Sequence, residues 1–407
     1  MAISTPPGRG GIGIVRLSGP EARTIAETLV RLRRPLEPGR ARFGEVLEGA
    51  SGEDVAGQGE TAAVLDEAVV TWFRAPHSYT SEDVVEIAGH GAPVLLAALL
   101  RQCVARGARL AEPGEFTQRA FLSGRIDLPQ AEAVQDLIQA TTLEQARTAA
   151  RQLGGALSKQ VQPMKTELIA LIATLEAGID FAEDDIDLLP EAEIGRRIGA
   201  VAAPLEALEE TFAYGRVLRE GFRLALAGRP NAGKSSLFNR LIRRDRAIVT
   251  AQPGTTRDPI TEQMELGGIP VELIDTAGLR ASHDEAEQMG IAKSREAMVE
   301  ADVVLLVLAA NEPLDAEDVA ALEATRARGL QALVVINKMD LSAEPSVAER
   351  SLAGLALGED AVVRTCALDG TGVAALREAI LGQLRSTPPS ADSAILTNLR
   401  QHQAVSA

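Results

Sequence analysis

One stretch constrains the fold of this chain more than any other. The apolar run FRLALA reads directly into GRPNAGKSS, so Gly228 to Ser235 has the form G-x-x-x-x-G-K-[ST], with a strand signal before it and a helix signal after. Glycines at these positions let successive backbone N–H groups curl around phosphate oxygens, and the following helix adds its positive end. Lys234 is spaced to reach β- and γ-phosphates, and Ser235 to ligate Mg²⁺. The loop works only at the end of a strand that feeds a helix, so the surrounding chain must be an α/β layer.

The flanking sequence agrees. Residues 222–380 alternate apolar β-like runs with helix-compatible stretches: FRLALAG, PVELIDTAG, ADVVLLVLAA, ALVVINKMD and AVVRTCAL. Short continuous apolar runs of this kind are expected of parallel strands covered on both faces by crossover helices.

Three further motifs follow the first in order. GTTRD offers the hydroxyl of Thr255 or Thr256 to Mg²⁺ and the γ-phosphate. VELIDTAG ends a strand in D-x-x-G, where Asp275 can hold Mg²⁺ through water and the Gly278 N–H can meet the γ-phosphate. ALVVINKMD ends another strand, and Asp340 offers two acceptor oxygens to the N1–H and 2-amino donors of guanine. Adenine lacks that pair of donors, and a site built for them rejects it strongly. Asn337 and Lys338 shape the same pocket. Taken alone, NKMD has a minority reading as a polar turn after a strand; four motifs in order, three of them at strand ends, read as a GTP-binding domain over residues 217–380.

The rest of the chain has two other textures. Residues 1–118 mix β-like runs (IGIVRL, EAVVTWF, DVVEIAG) with helical stretches and Gly/Pro turns, which reads as α+β. GASGEDVAGQGET at 49–61 reads as an exposed loop. From about residue 127 to 215 the spacing predicts long helices, the first capped by Asp127, another carrying Leu168, Ile169, Leu171, Ile172 and Leu175. The acidic run FAEDDIDLLPEAE fits a solvated loop better than a cation site, since its spacing matches no EF-hand. STPPSADSA reads as a linker, and ILTNLRQHQAVSA starts a helix.

Bulk properties exclude several classes. A net charge of −16 disfavours strong non-specific nucleic-acid binding, which depends on neutralising phosphates. Two cysteines, Cys103 and Cys366, make no disulfide framework and no zinc site. The N-terminus has no apolar signal region, and the runs PVLLAALL and VVLLVLAA are too short to span a bilayer, so no membrane role and a cytoplasmic location are expected.

The hydrolytic step needs unusual parts. GTPases often place Gln directly after D-x-x-G to orient water; here that residue is Leu279, which has no polar atom to do so. His283, Asp284, Glu285 and Glu287 lie nearby as candidates. No arginine finger is evident. Asn231, inside the loop, reads either as a loop-stabilising residue or as a ligand for a monovalent cation standing where an arginine's charge would sit.

The blocks GRPNAGKSSL, IVTAQPGTTRD and LIDTAGLR, with TPPGRGGIGIVRLSG, SYTSEDVVEIAGHGAP and RLAEPGEFTQRAFLSGRIDLPQAEAVQDLI at the N-terminal side, resemble the tRNA-modification GTPase family MnmE (TrmE) over nearly the whole chain. The resemblance implies three parts. These are an N-terminal α+β domain at 1–118 that binds a tetrahydrofolate and dimerises, a helical domain at 119–216 and 381–407, and a GTPase domain with a mainly parallel sheet at 217–380 inserted within it. It implies a partner, the flavoprotein MnmG, and a tRNA whose wobble uridine acquires a carboxymethylaminomethyl or aminomethyl group at carbon 5. The one-carbon unit comes from 5-formyl- or 5,10-methylene-tetrahydrofolate.

Position by position, the resemblance implies a GTP site in three segments. The first is Asn231, Ala232, Gly233, Lys234, Ser235 and Ser236. The second is Thr250, Ala251, Gln252, Pro253, Gly254, Thr255 and Thr256. The third comprises Asp275, Thr276, Ala277 and Gly278 with Asn337, Lys338, Asp340 and the fifth loop Cys366, Ala367 and Leu368. That loop usually reads Ser-Ala; since it meets the base mainly through a backbone amide, Cys366 is expected to be tolerated. Ser235 and Thr256 correspond to Mg²⁺ ligands, and Asn231, Thr250, Gln252 and Thr255 to the K⁺ site. Glu287 corresponds to the residue that orients water, and Arg16, Glu86 and Arg125 to folate contacts. Relatives close on a Cys-x-Gly-Lys segment important for modification; this sequence runs to Ala407 without it and starts a few residues late, so a short first strand and incomplete modification are expected. Two other readings compete: an Era/EngA-type GTP-dependent RNA assembly switch, and a folate-binding scaffold without productive chemistry.

Overall fold

The computed structural model describes residues 1–48, 63–180, 190–242, 260–275, 301–327, 330–341, 345–353, 362–383 and 394–406. The chain forms two compact units, Met1–Val134 and Gln135–Ala407.

The first unit is α+β. Its strands are β1 (Ala2–Ile3), β2 (Gly10–Ser18), β3 (Val30–Leu32), β4 (Ala41–Leu47), β5 (Val64–Phe73) and β6 (Val84–Gly91). They form one antiparallel sheet in the order β1-β2-β6-β5-β4-β3. The strands alternate as a one-sided sheet requires. Val15, Leu17, Val70, Trp72, Val85 and Ile87 face a core completed by Leu29 of α1 (Ala22–Leu29) and by Leu96 and Leu99 of α2 (Pro93–Ala105). Arg16 and Glu86 sit opposite each other in register on the other face. A third helix, α3 (Glu115–Leu122), follows. Its Glu115 is buried and accepts hydrogen bonds from Arg109 at 2.6 and 2.9 Å and from Arg119 at 2.7 and 3.0 Å. Those cations hold its carboxyl well below the usual range.

The division between the units falls within α4 (Leu128–Gln139), whose start is capped as the sequence suggests: Gln130 N donates to Asp127 Oδ1 at 2.8 Å. Helices α5 (Leu143–Leu153), α6 (Ala156–Asp180), α7 (Glu191–Glu210) and α8 (Phe212–Glu220) then lead to the second sheet. The α5 terminus is a capping box between Thr142 and Gln145.

The second sheet runs β12-β11-β10-β7-β9-β8. Its strands are β7 (Phe222–Ala227), β8 (Ile260–Leu266), β9 (Ile269–Asp275), β10 (Val303–Ala309), β11 (Gln331–Asn337) and β12 (Val362–Arg364). All neighbours pair in parallel except β8 with β9. Every residue of β10 is buried, and alternate residues serve opposite faces. Val303, Leu305 and Val307 pack with α9 (Lys234–Ile242) and α12 (Val373–Gln383). Val304, Leu306 and Leu308 pack with α10 (Ala316–Ala327) and α11 (Val347–Leu352). Two covered faces explain why these strands read as unbroken apolar runs.

Residues 394–406 return to the helices. Gln152 Nε2 donates to Ile395 O at 2.8 Å, Leu396 N donates to Thr211 Oγ1 at 3.0 Å, and Phe212 stacks on His402 of α13 (Leu399–Ser406) at 4.1 Å. The second sheet is therefore bracketed in sequence by two stretches that pack together. Cys103 and Cys366 are both buried and free. No described helix is long and apolar enough to cross a membrane.

Leu305 is fully buried in the middle of the central strand. Leu305→Ala is expected to destabilise the second unit by about 2–5 kcal/mol, read as a shift in the denaturant midpoint.

Candidate nucleotide-binding site

Parallel pairing sends the C-terminal ends of β7, β9, β10, β11 and β12 to one edge of the sheet. Open α/β sheets bind ligands at that edge. Here the edge carries the Gly228–Gly233 loop after β7, Asp275 at the end of β9, Asn337 at the end of β11 and Cys366 just beyond β12.

The loop after β7 is shaped by what glycine lacks. Gly228 has φ 132°, and a Cβ there would lie 2.2 Å from Val307 O of β10. Gly233 has φ 95°, and its Cβ would lie 2.2 Å from Asn337 Nδ2. Neither position accepts a side chain. Asn231 also occupies the left-handed region, at φ 63°, one of three non-glycine residues with positive φ among those described. Such strain in a non-glycine residue collects at functional loops. Lys234 opens α9 and is buried, its Nζ donating to Gly228 O at 2.8 Å and Arg229 O at 2.7 Å. The ammonium is thus held inside the loop by two of the loop's own carbonyls.

Asn337 joins this loop to the rest of the site. It is 1% exposed. Its Nδ2 donates to Ala232 O at 3.1 Å, while its Oδ1 accepts from Ala367 N at 3.0 Å and Thr365 Oγ1 at 3.3 Å. One amide therefore ties the phosphate loop to the loop after β12. A base that takes the Ala367 N–H shares it with Asn337. Lys338 adopts φ 63° and turns the chain into the short 3₁₀ turn Met339–Leu341, which presents Asp340.

Cys366 stands beside Asp340. Its Sγ lies 3.2 Å from Asp340 Oδ1. Burial pushes the Cys366 thiol up, so it stays protonated and donates to the carboxylate. The residue that departs from the usual Ser keeps a donor in place, though a weaker one.

These groups enclose a cavity of about 450 Å³ lined by Gly233, Ser236, Lys338, Asp340, Ala367 and Leu368, among others. Its size suits a purine nucleoside. Arg240 of α9 lines it too and donates to the carbonyls of Ala367 and Leu368. Nothing in the sequence signals that role, because Arg240 reads as an ordinary residue of a helix end. Ser235 lies in the first turn of α9, next to Lys234.

Several sequence-derived candidates lie outside the described residues: Thr250, Ala251, Gln252, Pro253, Gly254, Thr255, Thr256, Thr276, Ala277, Gly278, Leu279 and Glu287. Of Asp275 only the backbone is described.

In the first unit, Arg16 and Glu86 form an ion pair at 2.6 Å, each about a quarter exposed. The Arg16 guanidinium lies 5.7 Å from the ring centres of both Tyr79 and Phe116. Tyr79 Oη is held by Thr117 Oγ1 at 3.0 Å. Arg125 is exposed in the turn after α3. A carboxylate paired with a guanidinium beside two aromatic rings offers an acceptor for a ligand's N–H groups and a cation for its carboxylates.

Comparison with known proteins bears on both units. The chain matches two family models, GTP-binding protein TrmE N-terminus over residues 1–125 and MnmE helical domain over residues 128–407. It is 54% identical over 409 residues to the tRNA modification GTPase MnmE of Koribacter versatilis, covering 100% of this chain and 86% of that protein. It is 42% identical over 381 residues to the protein of the same name from Aquifex aeolicus, covering 94% of this chain and 81% of that one. A crystal structure of nucleotide-bound Era from Aquifex aeolicus is similar at 24% identity over 42% of this chain and 57% of that chain, with a TM-score of 0.33.

The role of Asn337 is open to direct measurement. Asn337→Ala removes three hydrogen bonds and leaves buried partners unsatisfied, so GDP affinity is expected to fall about 10-fold or more by titration calorimetry.

Proposed function

The chain belongs to the MnmE family of tRNA modification GTPases, and from that premise we propose that it hydrolyses GTP at the Gly228–Ser235 loop and couples the hydrolysis to modification of the tRNA wobble uridine. The observation that carries the reading is the single amide of Asn337, which holds the phosphate loop and the base loop around one cavity.

The residues divide the work by chemistry. Asp340 accepts the guanine N1–H and 2-amino protons. The loop N–H groups from Asn231 to Ser236 and the Lys234 ammonium hold the phosphates; Lys234 reaches them by leaving the carbonyls of Gly228 and Arg229. Ser235 and Thr256 would hold Mg²⁺, which would neutralise phosphate charge. Asn231, with Thr250, Gln252 and Thr255, would hold K⁺, whose charge would stand in for an arginine finger. Glu287 orients the attacking water, a task Leu279 has no polar atom to perform.

In the first unit, Arg16, Glu86 and Arg125 would hold a tetrahydrofolate, which would supply the one-carbon unit. Glu86 accepts from the pterin N–H groups, and the two arginines meet the glutamate tail. The chain acts in the cytoplasm as a homodimer, with the flavoprotein MnmG as partner and tRNA as substrate. With a net charge of −16, contact with tRNA falls to a local basic patch or to a partner that brings the charge.

The test of the whole reading is mass spectrometry of wobble nucleosides from a deletion strain carrying this chain. Restored modification is the expected result; unmodified uridine despite folded protein would leave GTP hydrolysis without the tRNA role, as in an Era-type switch. Base recognition has its own test. Asp340→Asn exchanges an acceptor for a donor, so GTP binding is expected to drop at least about 100-fold while xanthine nucleotides, which carry a carbonyl at C2, gain. The catalytic assignment predicts that Glu287→Ala leaves nucleotide binding nearly intact while hydrolysis falls by about 10²-fold. Equal GTPase rates in potassium and sodium would discard the cation role of Asn231.

A further inference from the structure

The phosphate loop carries a second cation that its motif leaves unspecified. Arg229 is 22% exposed and turned toward the segment that follows β10. Its Nε lies 3.0 Å from Asp318 Oδ2, its Nη1 3.2 Å from Asp315 Oδ2, and its Nη2 3.4 Å from Glu312 Oε2. Nη2 also donates to Pro313 O at 2.9 Å. All three nitrogens of the guanidinium are engaged by one short segment.

That segment is itself fixed. Asp315 accepts from the N–H groups of Glu317 and Asp318 at 2.9 and 3.0 Å, capping α10, and Asp318 accepts in return from Asp315 N at 3.3 Å. The Asp318 side chain is 1% exposed, and burial pushes its carboxyl up. A buried carboxylate of this kind needs its cation. Because β10 pairs with β7 in parallel, both loops leave the sheet at the same edge. On its backbone side, Arg229 O accepts from Lys234 Nζ at 2.7 Å and Ala232 N at 3.3 Å.

We propose that Arg229 is a positioning residue for nucleotide binding: the Asp315–Asp318 cap of α10 grips its guanidinium and so fixes the backbone turn with which the phosphate loop begins. The inference rests on the reading of that loop as a phosphate site. The grip depends on a planar fork with three separated nitrogens, which lysine does not offer.

The experiment measures GDP binding with Mg²⁺ and thermal melting in the full chain, for wild type, Arg229→Lys, Asp318→Asn and the double variant. The expected result is a Kd for GDP about tenfold weaker in each single variant, and no weaker in the double, because both remove one interaction. Preference for GDP over ADP is unchanged, since Asp340 is untouched. A Kd within twofold of wild type in folded Arg229→Lys, with only the melting temperature lowered, would make the cluster a cap for α10 and overturn the proposal. If Arg229→Lys does not fold, the isosteric Asp318→Asn is read by the same two outcomes. Wild-type protein that binds no GDP would overturn the nucleotide reading itself, and the proposal with it.

Discussion

A buried side-chain amide sits where two loops from distant parts of the chain must keep one distance. Asn337 donates to the carbonyl of Ala232 and accepts from the amide of Ala367, so residues separated by 105 and 30 positions in sequence are bridged by one group. Buried amides are costly when unpaired and specific when paired. Gly233 has no side chain because Asn337 occupies that space, and Lys338 takes a left-handed turn directly after it. The cavity beside Asp340 and the loop after β7 are therefore parts of one arrangement.

The sheet makes this possible. Parallel strands covered on both faces by helices are rigid, and they bring every strand's C-terminal loop to one edge. Loops on such a frame can hold left-handed residues and a buried lysine without support from solvent. Ties between neighbouring loops, Arg229 to the segment after β10 and Arg240 to the loop after β12, extend the same pattern sideways.

Much of this is legible in the residues alone, for identifiable reasons. FRLALA, VVLLVLA and the run ending in Asn337 are strands because doubly covered strands must be continuously apolar, a pattern few other elements produce. The phosphate loop is legible because glycine is forced at 228 by the approach of the β10 backbone and at 233 by the Asn337 side chain, both at positive φ. In the first unit, alternation announces strands, yet it does not announce sheet order: β2 lies beside β6, and only that register sets Arg16 against Glu86. Arg229 and Arg240 carry no signal, since an arginine's partner depends on where a long side chain finds an acceptor. Cys366 reads in sequence as a tolerated change; in the structure its thiol contacts Asp340.

The sequence by itself determined the chemistry on offer: a strand-loop-helix suited to encircling phosphate, a carboxylate suited to the donors of guanine, and a Leu where a water-orienting glutamine is common. These follow from local backbone and side-chain requirements, which a short stretch of residues expresses in full. Only the tertiary structure decided how those parts are held. Long-range hydrogen bonds such as Asn337 to Ala232, Gln152 to Ile395 and Arg229 to Asp318 join segments whose separation in sequence carries no information about their distance in space.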